Sequence, residues 1–409
     1  MDDLKALQDL EALQTPISNQ TDVAMKITKQ LVESEFKDKN MIYSPLSIYI
    51  VLSLIAARTN NPQLVYFLNS KSIDDLNSIA FNLVTSVLAD STSKGGPLLN
   101  FTNGLWVDES MPLEESYKQV VLDSYKAALN EVDFKTDPEQ VRIQVNSWVE
   151  EQTKGRIPKI LPPGSVHSAT SLIFANALYF KATWEDDYFY KPRKSKDLKF
   201  YLLNGDSVKG VPFMSSSHEH SIAVFDDFKV LSLQYSNCAL EDSDNGTDKY
   251  DPRSFSMLWL LPDARDGLPA LAERVCSESR FFDRHLNFES FTSVKVKKFL
   301  IPKFKMSSRF EASSVLQKLG LGDGCDSIFH ECVVEVDENG TTAATATCAE
   351  LVWSMGEPPK PKVIEEFVAD HPFMFLIREN RTRTVMFMGQ VLNPLAGKYH
   401  LCGKTCHIL

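Results

Sequence analysis

In this 409-residue chain the residues best placed for chemistry lie near the C-terminus, and the chemistry they offer is that of a substrate. Glu350-Leu351-Val352-Trp353-Ser354-Met355-Gly356 sets large apolar side chains among charged and flexible ones. Glu357-Pro358-Pro359-Lys360-Pro361 then imposes an extended, non-helical path. The stretch reads as an exposed bait of the size a protease cleft accepts, although composition alone also allows a plain polar loop. Chemistry of the opposite kind has no motif to carry it. No Gly-x-Ser-x-Gly, His-Glu-x-x-His, P-loop or Cys-x-x-Cys occurs, so no nucleophile elbow, zinc site or phosphate cradle is signalled. The chain is not expected to be an enzyme or to need a cofactor.

The segment that must position this bait changes character twice. Val334 and Val336 alternate with Glu335 and Asp337, the two-residue period of a half-buried strand, and Asp337-Glu338-Asn339-Gly340 supplies residues that turns favour. From Thr341 to Ala349 follow Thr341, Thr342, Ala343, Ala344, Thr345, Ala346, Thr347, Cys348 and Ala349, small and uncharged on both alternating faces. Such a run has nothing to anchor it to a core, and Ala and Thr pull toward different local structures. It can instead slot between two strands of an existing sheet without clashing above or below the sheet plane.

The rest of the chain supplies the elements for such a sheet. Residues 15 to 39 read as a helix, with Thr21 or Asp22 as its cap, and Asn40 to Ser47 feed an apolar helix over Ile48–Ala57 with Pro45 at its entrance. Leu98–Asp108 reads as a buried strand, followed by a helix through Tyr117 to Leu129. Asn146 to Ile157 continues a further helix that Gly155 stops. Ser171–Lys181 is nearly continuous apolar sequence, as a strand covered on both faces should be, with Asn176 the exception that needs a partner. Phe255–Asp263 and Val294–Phe304 are further strands.

Phe367-Val368-Ala369-Asp370-His371-Pro372-Phe373-Met374-Phe375-Leu376-Ile377 resembles the C-terminal signature of the serpins, and Glu338-Asn339-Gly340-Thr341 with the Ala/Thr run resembles their mobile hinge. The resemblance covers about residues 15 to 394. It is closest to the plant-type branch without a signal peptide, as Leu161-Pro162-Pro163-Gly164-Ser165 also suggests. It implies a mixed α/β (α+β) fold: one domain over 1–394 with a central mixed sheet of about five strands, further sheets, eight or nine helices and an exposed reactive loop at about 338–362.

By that resemblance Ser44, Ser47, Asn176 and His330 match the shutter that latches the sheet. Trp184 marks the top of the sheet where insertion begins, and Lys303 pairs with the hinge glutamate, Glu338. Family spacing from Glu338 places the scissile bond at Ser354-Met355, with Trp353 or Met355 as the recognised residue after a one-residue shift. The implied function is protease inhibition by a suicide-substrate mechanism, and the alternative is a non-inhibitory binding or storage serpin. The implied partner is a chymotrypsin-like or elastase-like serine protease, or a papain-like cysteine protease, because the bait holds no Arg or Lys before Lys360. Three departures stand out. The segment from Leu321 to His330 is short for the family, Glu331 replaces a commonly basic residue, and a tail continues over 395–409.

Bulk properties bound the remaining possibilities. A formal charge of −11 argues against nucleic-acid or anionic-membrane binding, and the basic runs Lys191–Lys196 and Lys295–Lys305 read as solvated surface. Seven scattered cysteines suit a reducing compartment more than a disulfide framework. The start Met1-Asp2-Asp3-Leu4-Lys5 lacks the pattern of a secretory signal, and no stretch approaches the roughly 18 apolar residues of a membrane span. These features lead to the expectation of a monomeric cytoplasmic protein, with the nucleus as a further location. Cys402, Cys406 and His407 in the tail are weak grounds for a metal, and none is expected.

Overall fold

The computed structural model describes residues 14–90, 92, 96–185, 189, 196–236, 251–321, 327–341 and 362–396. Six strands make the central sheet: β1 (Leu98–Asp108), β2 (Ala128–Val132), β3 (Leu172–Thr183), β4 (Phe304–Glu311), β5 (Ser327–Asp337) and the two-residue β6 (Gly340–Thr341). Their order is β4-β5-β6-β3-β1-β2. The sheet is mixed: β3 runs parallel to β5 and antiparallel to β1, and β1 runs parallel to β2. The expected five strands are therefore present with one short addition. Nine α-helices occur among the described residues.

Hydrophobic pattern explains the layers. β3 is buried almost throughout because both of its faces are covered. On one face lies the main core, which includes the helix α1 (Gln14–Ser34) and the helix α2 (Pro45–Thr59), buried from Pro45 to Ala56. Pro45 sits at the entrance of α2, Ser44 caps it by accepting from the Ser47 N–H, and Asn60 ends it at a φ of 49°. On the other face lies the helix α3 (Pro138–Gln152), whose Val141, Val145 and Val149 share a core with Ile173, Ala175, Ala177 and Phe329. Lys154 and Gly155, both at positive φ, end this helix as the glycine predicted.

Two expectations need correction. α1 is already helical at Gln14, the first described residue, so Thr21 and Asp22 lie inside it, and the Asp22 carboxylate accepts from the backbone of Arg280. The helix expected to reach Leu129 stops at Asp123, and the chain turns through Lys126 at a φ of 48° into β2, which its pairing with β1 holds in place. Tertiary pairing overrides the helical propensity of Lys126-Ala127-Ala128 there. No helix among the described residues is long and apolar enough to cross a membrane.

Candidate functional site

β5 and β3 are paired side by side from Ser327 and Ile173 to Val333 and Tyr179. Above this point they part, and β6 sits between them. Gly340 and Thr341 pair with Thr183 and Ala182 of β3 on one side, and with Asp337 and Val336 of β5 on the other. The top of the sheet is thus open by two residues and already holds Gly340 and Thr341, the first residue of the small-residue run. This corrects the expectation that the whole run stands outside the sheet. The short connection before β5 does not delay that strand, which reaches Ser327 beside the start of β3.

Gly340 has to be glycine. Its φ is +136°, and a Cβ would lie 2.1 Å from the carbonyl oxygen of Ala182. Gly340→Ala is expected to unseat β6 and to lower native stability by about 1–3 kcal/mol, read from denaturant midpoints at constant m. An unchanged midpoint would count against the seated conformation.

Aromatic and charged groups surround the seat. Trp184 donates from its indole Nε1–H to the Asp337 carbonyl at 2.8 Å and from its backbone N–H to the Asn339 carbonyl at 3.3 Å, holding the turn that delivers Gly340. Lys303 Nζ donates to the Glu338 carboxylate on the same turn, as expected. A partly exposed pair of this kind contributes about 0–1 kcal/mol, so its effect is mainly to orient the turn.

Lower in the sheet, His330, Asn176 and Asn103 form one row across β5, β3 and β1 on the α2 face. His330 Nε2 accepts from the Ser44 N–H at 3.1 Å, and the Cys332 sulfur lies 3.1 Å from the same nitrogen. The ring proton of the neutral imidazole therefore sits on Nδ1. Complete burial pushes the His330 pKa down from 6.5 to about 3. Asn176 donates to the Asn103 side chain. The Asn176 Oδ1, His330 Nδ1 and Ser47 Oγ atoms are buried with no hydrogen-bond partner among the described residues.

All four residues expected to latch the sheet thus stand in one place, but the Asn176 amide N–H donates to Asn103 of β1 and not to His330. Asn103, Cys332 and Tyr235 belong to these clusters and had not been singled out from the sequence. Nothing in the sequence set Asn103 apart, since its strand also holds Asn100, Thr102 and Asp108. The remaining hinge residues, Thr342, Ala343, Ala344, Thr345, Ala346 and Thr347, and the bait residues Trp353, Ser354 and Met355 lie outside the described residues.

The profile of one protein family, Serpin (serine protease inhibitor), matches residues 18–394. The chain belongs to the serpin family. Serpin-ZX of Arabidopsis thaliana is 40% identical over 403 residues, spanning 93% of this chain and 98% of that protein. Serpin-Z1C of Triticum aestivum is 39% identical, spanning 93% and 96%. A protein of Arabidopsis thaliana named "Probable non-inhibitory serpin-Z5" is 41% identical, spanning 93% and 84%. Among solved structures, Arabidopsis AtSerpin1 in its native stressed conformation superposes with a TM-score of 0.80 at 38% identity, covering 94% of this chain and 99% of that one.

The surface of this serpin bears on the basic runs. Lys297 and Lys298 lie 2.6 and 3.7 Å from Glu365 and Glu366, and Lys305 lies 2.8 Å from Glu335. These cations face carboxylates of the same chain. The run Lys191–Ser195 and the tail cysteines lie outside the described residues. No group of three His, Cys, Asp or Glu side chains among the described residues is arranged to hold a metal ion.

Proposed function

We propose that this serpin inhibits a protease by acting as its suicide substrate. The protease attacks the Ser354-Met355 bond, and the released loop enters the central sheet before the acyl-enzyme can hydrolyse. The observation that carries this reading is the seat of Gly340 and Thr341 between β5 and β3, in line with the strand pair that the loop must separate. The uncharged, proline-free run that follows is suited to continue in that slot. Chymotrypsin-like, elastase-like and papain-like proteases are the targets that fit Trp353, Ser354 and Met355. The protein acts as a monomer in the cytoplasm or nucleus, residues 1–394 form the inhibitory domain, and 395–409 are a tail outside it.

Incubation with a panel of such proteases is expected to give an SDS-stable complex, and mass mapping of the released peptide to place the cut after Ser354. Cleaved product with no complex from every member of the panel sinks the inhibitory reading. The relative named as a probable non-inhibitory serpin favours a second reading, a binding or storage role in which the loop is cut but does not insert. Under that reading cleavage leaves thermal stability unchanged.

A further inference from the structure

Tyr235 follows the strand Phe228–Gln234 and is fixed from several sides. Its N–H donates to the Phe255 carbonyl at 2.9 Å, and its ring stacks on Trp184 with centroids 4.7 Å apart and planes 11° from parallel. Phe180 meets it edge-on at 5.1 Å. The phenol is fully buried, which pushes its pKa well up and keeps it neutral. Its hydroxyl lies 2.5 Å from the hydroxyl of Thr341, itself wholly buried. No other hydrogen bond to either hydroxyl is present among the described residues.

We propose that Tyr235 is a receptor for the hinge, a positioning residue that holds Thr341 in the sheet before any cleavage. The role within inhibition rests on the function proposed above, but the seating itself does not. A phenol locked by a stack and a backbone bond cannot turn to another acceptor, so withdrawal of the hinge leaves its hydroxyl buried and unpaired. Tyr235 therefore favours the seated hinge, and it does so at one position only. A strand that enters one residue out of register turns every side chain to the wrong face. With Thr341 fixed opposite Ala182 and Val336, the register of the following residues is set before they arrive. Serine meets the same requirement as threonine at this site, whereas valine matches the shape and lacks the hydroxyl.

The test is hydrogen exchange on the uncleaved protein, followed in peptides covering 337–345 and, for comparison, 327–333. Thr341→Val and Tyr235→Phe are each expected to speed exchange at the hinge about tenfold while the lower part of β5 is unchanged. Thr341→Ser keeps the wild-type rate, and the double variant Thr341→Val/Tyr235→Phe exchanges no faster than either single one. Hinge exchange unaltered in both single variants overturns the proposal, as does Thr341→Ser behaving like Thr341→Val. No protease enters the measurement. Hinge exchange that responds in a protein that traps no protease overturns inhibition alone, and unresponsive exchange in a protein that does form complexes overturns the Tyr235 role alone.

Discussion

Cutting the loop between Leu351 and Gly356 raises the thermal midpoint of this serpin by on the order of 10 °C, and Thr347→Arg removes about half of that gain and all of the protease complex. The seat of Thr341 fixes the geometry behind this expectation. β6 is antiparallel to both neighbours, so each further loop residue descends one residue along β3 and one along β5. Thr345 then falls between Leu178 and Cys332, and Thr347 between Asn176 and His330, which are cross-strand partners in the uncleaved sheet. Thr347 also shares the face of Thr341, so its hydroxyl arrives where Asn176 Oδ1, His330 Nδ1 and Ser47 Oγ have no partner among the described residues. Insertion exchanges the β3–β5 ladder for two ladders, a net addition of about ten hydrogen bonds that at roughly 0.5–1.5 kcal/mol each gives on the order of 10 kcal/mol. Unfolding entropy at this chain length converts each 1 kcal/mol into roughly 1 °C.

Arginine at position 347 would bring an unpaired charge between two side chains with no solvent exposure, at a cost of several kcal/mol, and would stop insertion half-way. Thr347→Ser is the control that keeps the hydroxyl. Melting curves of cut and uncut protein, with denaturing gels of each variant against the same protease, read the result. A cut Thr347→Arg protein that gains as much stability as the cut wild type refutes the register.

The same register explains why the loop was legible in the sequence. Alternation sends Thr342, Ala344, Ala346 and Cys348 to the α3 side of the inserted strand and Thr341, Ala343, Thr345, Thr347 and Ala349 to the core side. Both faces therefore had to be small, and that pattern is visible without coordinates. Long apolar strands such as β3, the Ser44-Pro45 entrance of α2 and the Gly155 stop of α3 were also visible, because each rests on local chemistry. What could not be read were matters of distant pairing. The seat of Gly340 and Thr341, the turn of the chain at Lys126 into β2 and the choice of Asn103 as partner for Asn176 all depend on residues far away in sequence. Tyr235 carried no signal, since a tyrosine after an apolar strand suits many settings.

Glu331→Gln is expected to stabilise the uncleaved protein by on the order of 1–3 kcal/mol above pH 7 and to have no such effect below pH 4.5. Glu331 lies on β5 between Ala177 and Arg309, on the face that α3 covers, and its Oε2 has no partner among the described residues. Arg309 stands directly across the strand pair but donates to the Lys159 carbonyl in the connection after α3. Burial, only partly opposed by Arg309, pushes the Glu331 carboxyl up from 4.5 to about 7. The folded protein thus binds a proton between those values that the unfolded chain has released, so stability falls as pH rises through this window.

His330, the preceding residue on the opposite face, acts in the other direction. Its folded pKa lies below its unfolded value of 6.5, so the unfolded chain binds the extra proton and stability falls as pH drops toward about 3. Between about pH 4.5 and 6.5 the two slopes oppose each other at about 1.4 kcal/mol per pH unit each. Subtracting the wild-type profile from that of Glu331→Gln isolates the carboxylate: no difference below pH 4.5, a rise through pH 7, then a plateau. Denaturant unfolding at half-unit pH intervals reads this curve, and a flat difference or one of opposite sign would show that Arg309 pairs with Glu331 in solution. The rising curve would place a standing cost on β5, the strand that must part from β3 when the loop enters, and would make opening of the sheet easier as the carboxylate ionises.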